Sequence, residues 1–151
     1  MTVATYSMRE LRERVGEVLG ESGVHQVTQE QIDRFADVTG DHQWIHVDPV
    51  RARSGPFGTT IAHGYLTLSL LSMMLGECYS ISDAGVMVNY GLNRLRFPSP
   101  VPAGSGLRLR AVLNQADEIP GGLQLLVGFE IGIPDAPKPA AVGEAVFRVQ
   151  R

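Results

Sequence analysis

The run Ile61-Ala62-His63-Gly64-Tyr65-Leu66-Thr67-Leu68-Ser69-Leu70-Leu71-Ser72-Met73-Met74-Leu75-Gly76 decides the fold. Its leucines and methionines are distributed around most of a helical circumference instead of along one stripe. A helix apolar on nearly all sides has to be enclosed. The apolar stretch is interrupted by His63, Gly64, Thr67, Ser69 and Ser72. It falls short of the roughly 20 residues a membrane span needs, so the enclosure must come from the rest of the chain.

Four segments downstream have the texture to supply it. Val86 to Phe97, Gly106 to Glu118, Leu123 to Ile133 and Ala140 to Val149 carry β-formers with stretches of period two. Pro98-Ser99-Pro100, Pro120-Gly121-Gly122 and Pro134 to Pro139 separate them. Gly121-Gly122 between two such runs signals a hairpin. These strands predict an antiparallel meander, with Val24-His25-Gln26-Val27 as a fifth strand.

Upstream, two capping boxes open helices, Ser7-Met8-Arg9-Glu10 and Thr28-Gln29-Glu30-Gln31. The second helix carries Ile32, Phe35 and Ala36 on one face and ends at Gly40. Asp48-Pro49 opens a brief helix through Ala52. The expected fold is therefore α+β: an antiparallel sheet of about five strands wrapped around one central apolar helix. This is the arrangement called a hot-dog fold, here a single domain over residues 1–151.

Composition narrows the function. The chain is 44% hydrophobic and 19% charged with a net charge of −3, so neither nucleic acid nor an anionic membrane is an expected partner. Arg94, Arg96, Arg108 and Arg110 are the candidates for a local basic patch, although alternating strands place such residues on solvent faces anyway. Cys78 is the single cysteine, which excludes an internal disulfide or a cysteine-based metal cluster and fits a packed thiol in a reducing compartment. The N-terminus shows no secretory pattern, and the reading is a cytoplasmic protein.

The chemistry gathers around Asp41-His42-Gln43-Trp44-Ile45-His46. Asp41 alone is an ordinary residue for a helix exit, and a lone histidine in an apolar loop is usually just hydrogen-bonded there. Together, across a tight turn, they can hold one water and move a proton in each direction. His63-Gly64 follows seventeen residues after His46. Gly64 would direct a bare N–H toward a thioester oxygen, and its bland role is close helix–sheet packing. Ser72, about two turns into the helix, would either bond back to the carbonyl four residues earlier or bond Asp41 and orient it. The histidines lack the His-x-x-x-His spacing of a helical metal site. No Gly-x-Ser-x-Gly elbow and no phosphate-binding glycine loop is present.

The segment Phe35 to His46, with Ala52 six residues on, resembles the hydratase 2 motif of MaoC-like (R)-specific enoyl-CoA hydratases. Ile61-Ala62-His63-Gly64-Tyr65-Leu66 and Leu92-Asn93-Arg94-Leu95-Arg96-Phe97-Pro98-Ser99-Pro100-Val101 resemble the helix start and strand of the same family. The resemblance implies a catalytic pair at Asp41 and His46, a thioester-binding N–H at Gly64 and a supporting serine at Ser72. Trp44, His63, Arg94 and Arg96 follow as substrate contacts. It implies an acyl-CoA thioester substrate, no metal, no cofactor apart from the CoA of the substrate, and a homodimer. The rivals are a dehydratase subunit for longer 3-hydroxyacyl thioesters, a hot-dog acyl-CoA thioesterase and a non-catalytic partner subunit. Two positions depart from the motif: Phe35 replaces its usual tyrosine, and Gln43-Trp44 its usual Asn-Pro.

Overall fold

The structure, a computed structural model, describes residues 2–151. The chain begins with β1 (Ala4–Tyr6), α1 (Met8–Arg12), β2 (Val18–Glu21), β3 (His25–Gln26) and α2 (Gln29–Thr39). Two single-turn helices follow, α3 (Trp44–Val47) and α4 (Pro49–Ala52), and then α5 (Gly64–Ser69) and α6 (Leu71–Cys78). It ends with β4 (Tyr79–Ile81), β5 (Val86–Arg96), β6 (Gly106–Ile119), β7 (Gly122–Gly132) and β8 (Ala141–Gln150).

Local sequence explains most of the helix ends. Both capping boxes form: Ser7 and Thr28 each accept the N–H three residues on, and Glu10 and Gln31 reach back to the cap N–H. Gly40 closes α2 at φ +81°, a left-handed geometry that favours glycine, and donates to the Ala36 carbonyl. Asp48 accepts the Arg51 N–H at 3.0 Å and Pro49 occupies the first turn of α4.

The main sheet has six strands in the order β2-β6-β7-β8-β5, with β3 also on β6. The pairings around β6, β7, β8 and β5 are antiparallel, and β1 pairs with β4 in a separate parallel ladder. The expected meander is corrected in one respect: β5 pairs with β8 and forms an edge, so the link from β5 to β6 crosses over. Alternation sets the faces. Leu107, Leu109, Ala111 and Leu113 of β6, with Leu123, Leu125, Val127, Phe129 and Ile131 of β7, point inward and are at most 3% exposed. Arg108 and Arg110 point outward and are exposed, as alternation requires.

The sheet's concave face encloses α5 and α6. Leu66, Leu71, Met74, Leu75 and Cys78 join one cluster with the inward strand residues. Each such aliphatic side chain contributes about 1.5–3 kcal/mol by leaving water. The enclosure is less complete than the pattern predicts, because one stripe running through α5 and α6 faces outward. Tyr65 is 68% exposed and Met73 45%, and Ser69 and Ser72 are also open. The open side runs along β5, where Val86, Val88, Tyr90 and Leu92 are exposed too.

On the convex face a buried carboxylate ties three strands. Glu144 of β8, 8% exposed, accepts from Asn93 of β5 at 2.8 Å and Asn114 of β6 at 2.7 Å. These bonds hold its carboxyl below the usual carboxylate range despite burial. Asn114 crosses β7 at Gly128, where a Cβ would come within 2.8 Å of the amide nitrogen. Beside Asn93 the β5 ladder bulges, and Arg94 takes φ +52°.

Met74 is fully buried at the centre of α6. Met74→Ala should lower unfolding free energy by about 2–5 kcal/mol, measured by urea denaturation; a loss below 0.5 kcal/mol would mean the core does not close there.

Candidate active site

The candidate site is built where the exit of α2, the short helix α3 and the start of α5 meet. His46 lies in α3 and is only 6% exposed. A buried imidazole needs a partner, and its Nδ1 lies 2.7 Å from the Ile61 carbonyl oxygen. A carbonyl only accepts, so Nδ1 carries the hydrogen and Nε2 of the neutral ring presents a lone pair. The Ile61 N–H in turn donates to the Ile45 carbonyl at 3.0 Å, so the segment holding the ring is itself held by α3.

Gln29, at the first turn of α2, fixes His46 from the other end. Its amide donates to the His46 carbonyl at 2.7 Å and to Asp33 at 2.9 Å, while its oxygen accepts from buried Thr60 at 2.5 Å. Asp41, just past Gly40, is exposed, and its Oδ1 accepts the Gln43 N–H at 3.3 Å. His63 is 3% exposed, stacks on His46 with centroids 3.9 Å apart and an interplanar angle of 24°, and bonds the Asp41 carbonyl through Nε2 at 3.0 Å. A carboxylate oxygen of Asp41 and one ring nitrogen from each of His46 and His63 all lie within 4.8 Å of one another.

That spacing can be read in two ways. Two groups that each hydrogen-bond one water at about 2.8 Å stand about 4.6 Å apart, and the carboxylate and the imidazole lie within that reach. The same three groups could be offered to a metal ion. Ring nitrogens donate in the plane of the imidazole, however, and two nearly parallel stacked rings aim their lone pairs along separate planes. The trio suits a shared water better than a shared cation.

Gly64 opens α5, and its N–H has no acceptor among the described residues. A Cβ at Gly64 would stand 2.9 Å from the Phe97 ring, so the residue following β5 packs flat on the glycine. Phe97 meets Tyr65 edge-on at 6.0 Å. A groove of about 270 Å³ lined by Gln31, Arg34, Phe35, Val38 and Leu66 runs between α2 and α5. Phe35 also packs against His63, at 4.9 Å.

A family model described as a MaoC like domain matches residues 10–122. This chain belongs to the MaoC-like family. A Mycobacterium tuberculosis protein named 3-hydroxyacyl-thioester dehydratase Z is 45% identical over 143 residues, covering 94% of this chain and 95% of the relative. Nodulation protein N of Rhizobium leguminosarum bv. viciae is 46% identical over 148 residues, covering 95% and 91%. Among solved structures, the (R)-hydratase from A. caviae involved in PHA biosynthesis superposes with a TM-score of 0.72 at 24% identity, covering 88% of this chain and 94% of that one. The fold is α+β of the hot-dog type.

Within this MaoC-like chain the expected site residues separate into two groups. Asp41, His46, His63 and Gly64 come together. Ser72 does not join them: it is exposed and lies in a groove with Leu68, Ser69, Tyr90, Leu92 and Phe147, with no hydrogen bond to Asp41. Helical spacing accounts for this: Tyr65, Ser69, Ser72, Met73 and Gly76 form one exposed stripe along α5 and α6, opposite buried Leu66, Thr67, Leu71, Met74 and Leu75. Trp44 is spent on its own loop, with the Arg51 guanidinium 4.3 Å over the ring and the Cα of Gly55 packed against it. That clamp, with the turn of α3, stiffens a segment where the motif usually has a proline. Arg94 and Arg96 are exposed, and Arg96 donates to the Leu95 carbonyl at 2.8 Å. His42 turns outward onto Asp37 at 2.9 Å. Gln29, Thr60 and the Ile61 carbonyl are missed by sequence reasoning, since polar residues beside a cap and a main-chain oxygen carry no distinguishing signal.

The two histidines of the turn differ electrostatically. Burial pushes His46 below the ordinary imidazole value and the His63 ring adds to this, against the Ile61 carbonyl and Asp41. The hydrogen bond that His42 donates to the Asp37 carboxylate raises His42. NMR titration should therefore find His46 protonating below about pH 6.5 and His42 above it; the reverse order would contradict the buried geometry of His46.

Proposed function

We propose that this chain is a hydro-lyase that reversibly adds water to a trans-2-enoyl-CoA to give the (R)-3-hydroxyacyl-CoA. The observation that carries the reading is the Asp41 carboxylate within 4.8 Å of a ring nitrogen of buried His46, close enough for both to hold one water. Relatives named as a thioester dehydratase and an (R)-hydratase support the same class of reaction.

The reaction asks for three things from the chain. The water must be held: Asp41 and His46 grip it from two sides. Its proton must leave as oxygen bonds to C3: burial keeps His46 neutral, and the Ile61 bond leaves Nε2 free to accept. Negative charge builds on the thioester oxygen: the unpaired Gly64 N–H is a donor for it. A proton delivered to C2 completes the addition, and the pair returns to its starting state. No metal and no redox group takes part, since CoA arrives with the substrate. The groove beside Phe35 and Leu66 offers an apolar place for the acyl chain, and Arg94 and Arg96 lie on the β5 end for the CoA phosphates.

Two further assignments belong to this proposal. The protein acts as a homodimer in the cytoplasm. The exposed apolar edge of β5, with Tyr65 and Met73 beside it, is the surface for the second copy, because an unpaired apolar edge strand invites another chain. No helix among the described residues is long and apolar enough to cross a membrane. A dehydratase for longer 3-hydroxyacyl thioesters is the second reading; the name of the mycobacterial relative favours dehydration of a 3-hydroxyacyl thioester. A thioesterase is disfavoured, since Glu77, the one acid on α6, is committed to His25 and the Gly23 N–H at 2.8 Å each.

Crotonyl-CoA should lose its enoyl absorbance without release of free thiol; thiol release would indicate a thioesterase and no change a scaffold. Asp41→Asn and His46→Gln should each lower turnover by about 100-fold or more with the fold retained. Near-normal rates in either would remove that residue from the mechanism. As pH falls through the lowered value of His46 the ring takes a proton and kcat/KM should drop, so the acid limb should lie below about pH 6.5. Light scattering should give twice the chain mass, and a monomer would refute the dimer.

A further inference from the structure

Within the candidate site, His63 is the buried titratable residue that the mechanism above does not use. The sequence reading makes it a substrate contact, and the structure leaves no room for that. One ring face is covered by His46 at 3.9 Å, and Phe35 packs against the ring at 4.9 Å. Nε2 is committed to the Asp41 carbonyl at 3.0 Å, and the residue is 3% exposed. Nδ1 is buried with no hydrogen-bond partner. A substrate has nothing on His63 to touch.

Its connections run instead to each part of the site. The Asp41 carbonyl can only accept, so Nε2 of His63 carries the hydrogen and pins the main chain of the exposed acid. Asp41 otherwise hangs on two long bonds, its N–H to Thr39 Oγ1 at 3.4 Å and its Oδ1 from Gln43 at 3.3 Å. The stacked ring fixes the tilt of His46, whose Nδ1 bond to Ile61 fixes a direction but leaves rotation about it open. The His63 main chain is also the cap of α5, so its carbonyl accepts from Leu66 at 3.1 Å and Thr67 at 3.2 Å beside Gly64.

We propose that His63 is a positioning residue that sets the distance between Asp41 and His46 by holding the main chain of one and the ring of the other. The proposal rests on the acid–base reading of that pair. The ring stack and the hydrogen bond are separable. His63→Phe keeps an aromatic face against His46 and removes the donor to Asp41, while His63→Gln keeps an amide donor near the Nε2 position and removes the ring.

The test measures kcat and KM for hydration of crotonyl-CoA, their pH dependence, and the NMR titration of His46 in both variants and the wild type. A misplaced acid–base pair costs turnover more than binding, so each variant should lose about 10–100-fold in kcat with KM changed less than about twofold. The titratable or charged groups around His46 are Asp41, which favours its protonation, and His63, which opposes it. Removing His63 should therefore move the His46 midpoint, and the acid limb of kcat/KM, to higher pH. A raised KM at unchanged kcat would return His63 to substrate binding and overturn the proposal. Unchanged kcat together with an unchanged His46 midpoint would reduce it to core packing. If the wild type hydrates no enoyl-CoA, the hydratase reading fails separately, and the His46 midpoints still decide whether His63 governs that ring. Should His63→Phe not fold, His63→Gln carries the same outcomes.

Discussion

The hydrogen bond from buried His46 to the Ile61 carbonyl is the constraint on which the candidate site depends. Taking an imidazole out of water is costly unless a nitrogen finds a partner, and one partner settles the tautomer. With Nδ1 occupied, the opposite nitrogen has to present a lone pair. Burial then keeps the ring neutral, which is the state that accepts a proton. Because the Ile61 strand is tied back to α3 and to Thr60 and Gln29, the geometry is carried by main chain and buried amide, and it does not rely on the exposed loop.

Asp41 contrasts with His46 in a way that fits their proposed division of labour. The carboxylate remains exposed, free to meet water and to adjust, while the imidazole is fixed. A pair with one rigid and one adjustable member tolerates substitutions in the turn between them. Gln43-Trp44 can stand for the family's usual residues because Trp44 is sandwiched between Arg51 and Gly55 and supplies stiffness by packing.

The legible parts of the sequence were those where local chemistry and long-range structure agree. The caps at Ser7, Thr28 and Asp48 depend on bonds spanning three residues, and the four long strands on runs of β-formers with stretches of alternation between Pro/Gly breaks, so both can be read from a window. Asp41, His46 and Gly64 could be placed because their spacing forms a motif. The parts that were not legible depend on tertiary context. Three-residue and four-residue strands such as β1, β4 and β2 are defined by their partners, Tyr79, Ser80 and Ile81 for β1 and Val112 to Arg110 for β2. The crossover of β5 to β8 leaves no local trace. Ser72 failed for a related reason: a run apolar on nearly all sides does not say which stripe faces the core, and Ser72 falls on the exposed one with Tyr65, Ser69 and Gly76.

The Glu144 clasp on the convex face bears on how β5 can act as an edge at all. A strand paired on one side only can slide by a residue and turn its apolar members to the wrong face. Glu144 gripping Asn93 from one side while held by Asn114 from the other makes a slipped alignment strand a buried carboxylate without donors. The strand can therefore be offered to another molecule in one alignment only. A chemical group far from the candidate site thus fixes the alignment of the one edge that the sheet leaves open on that side.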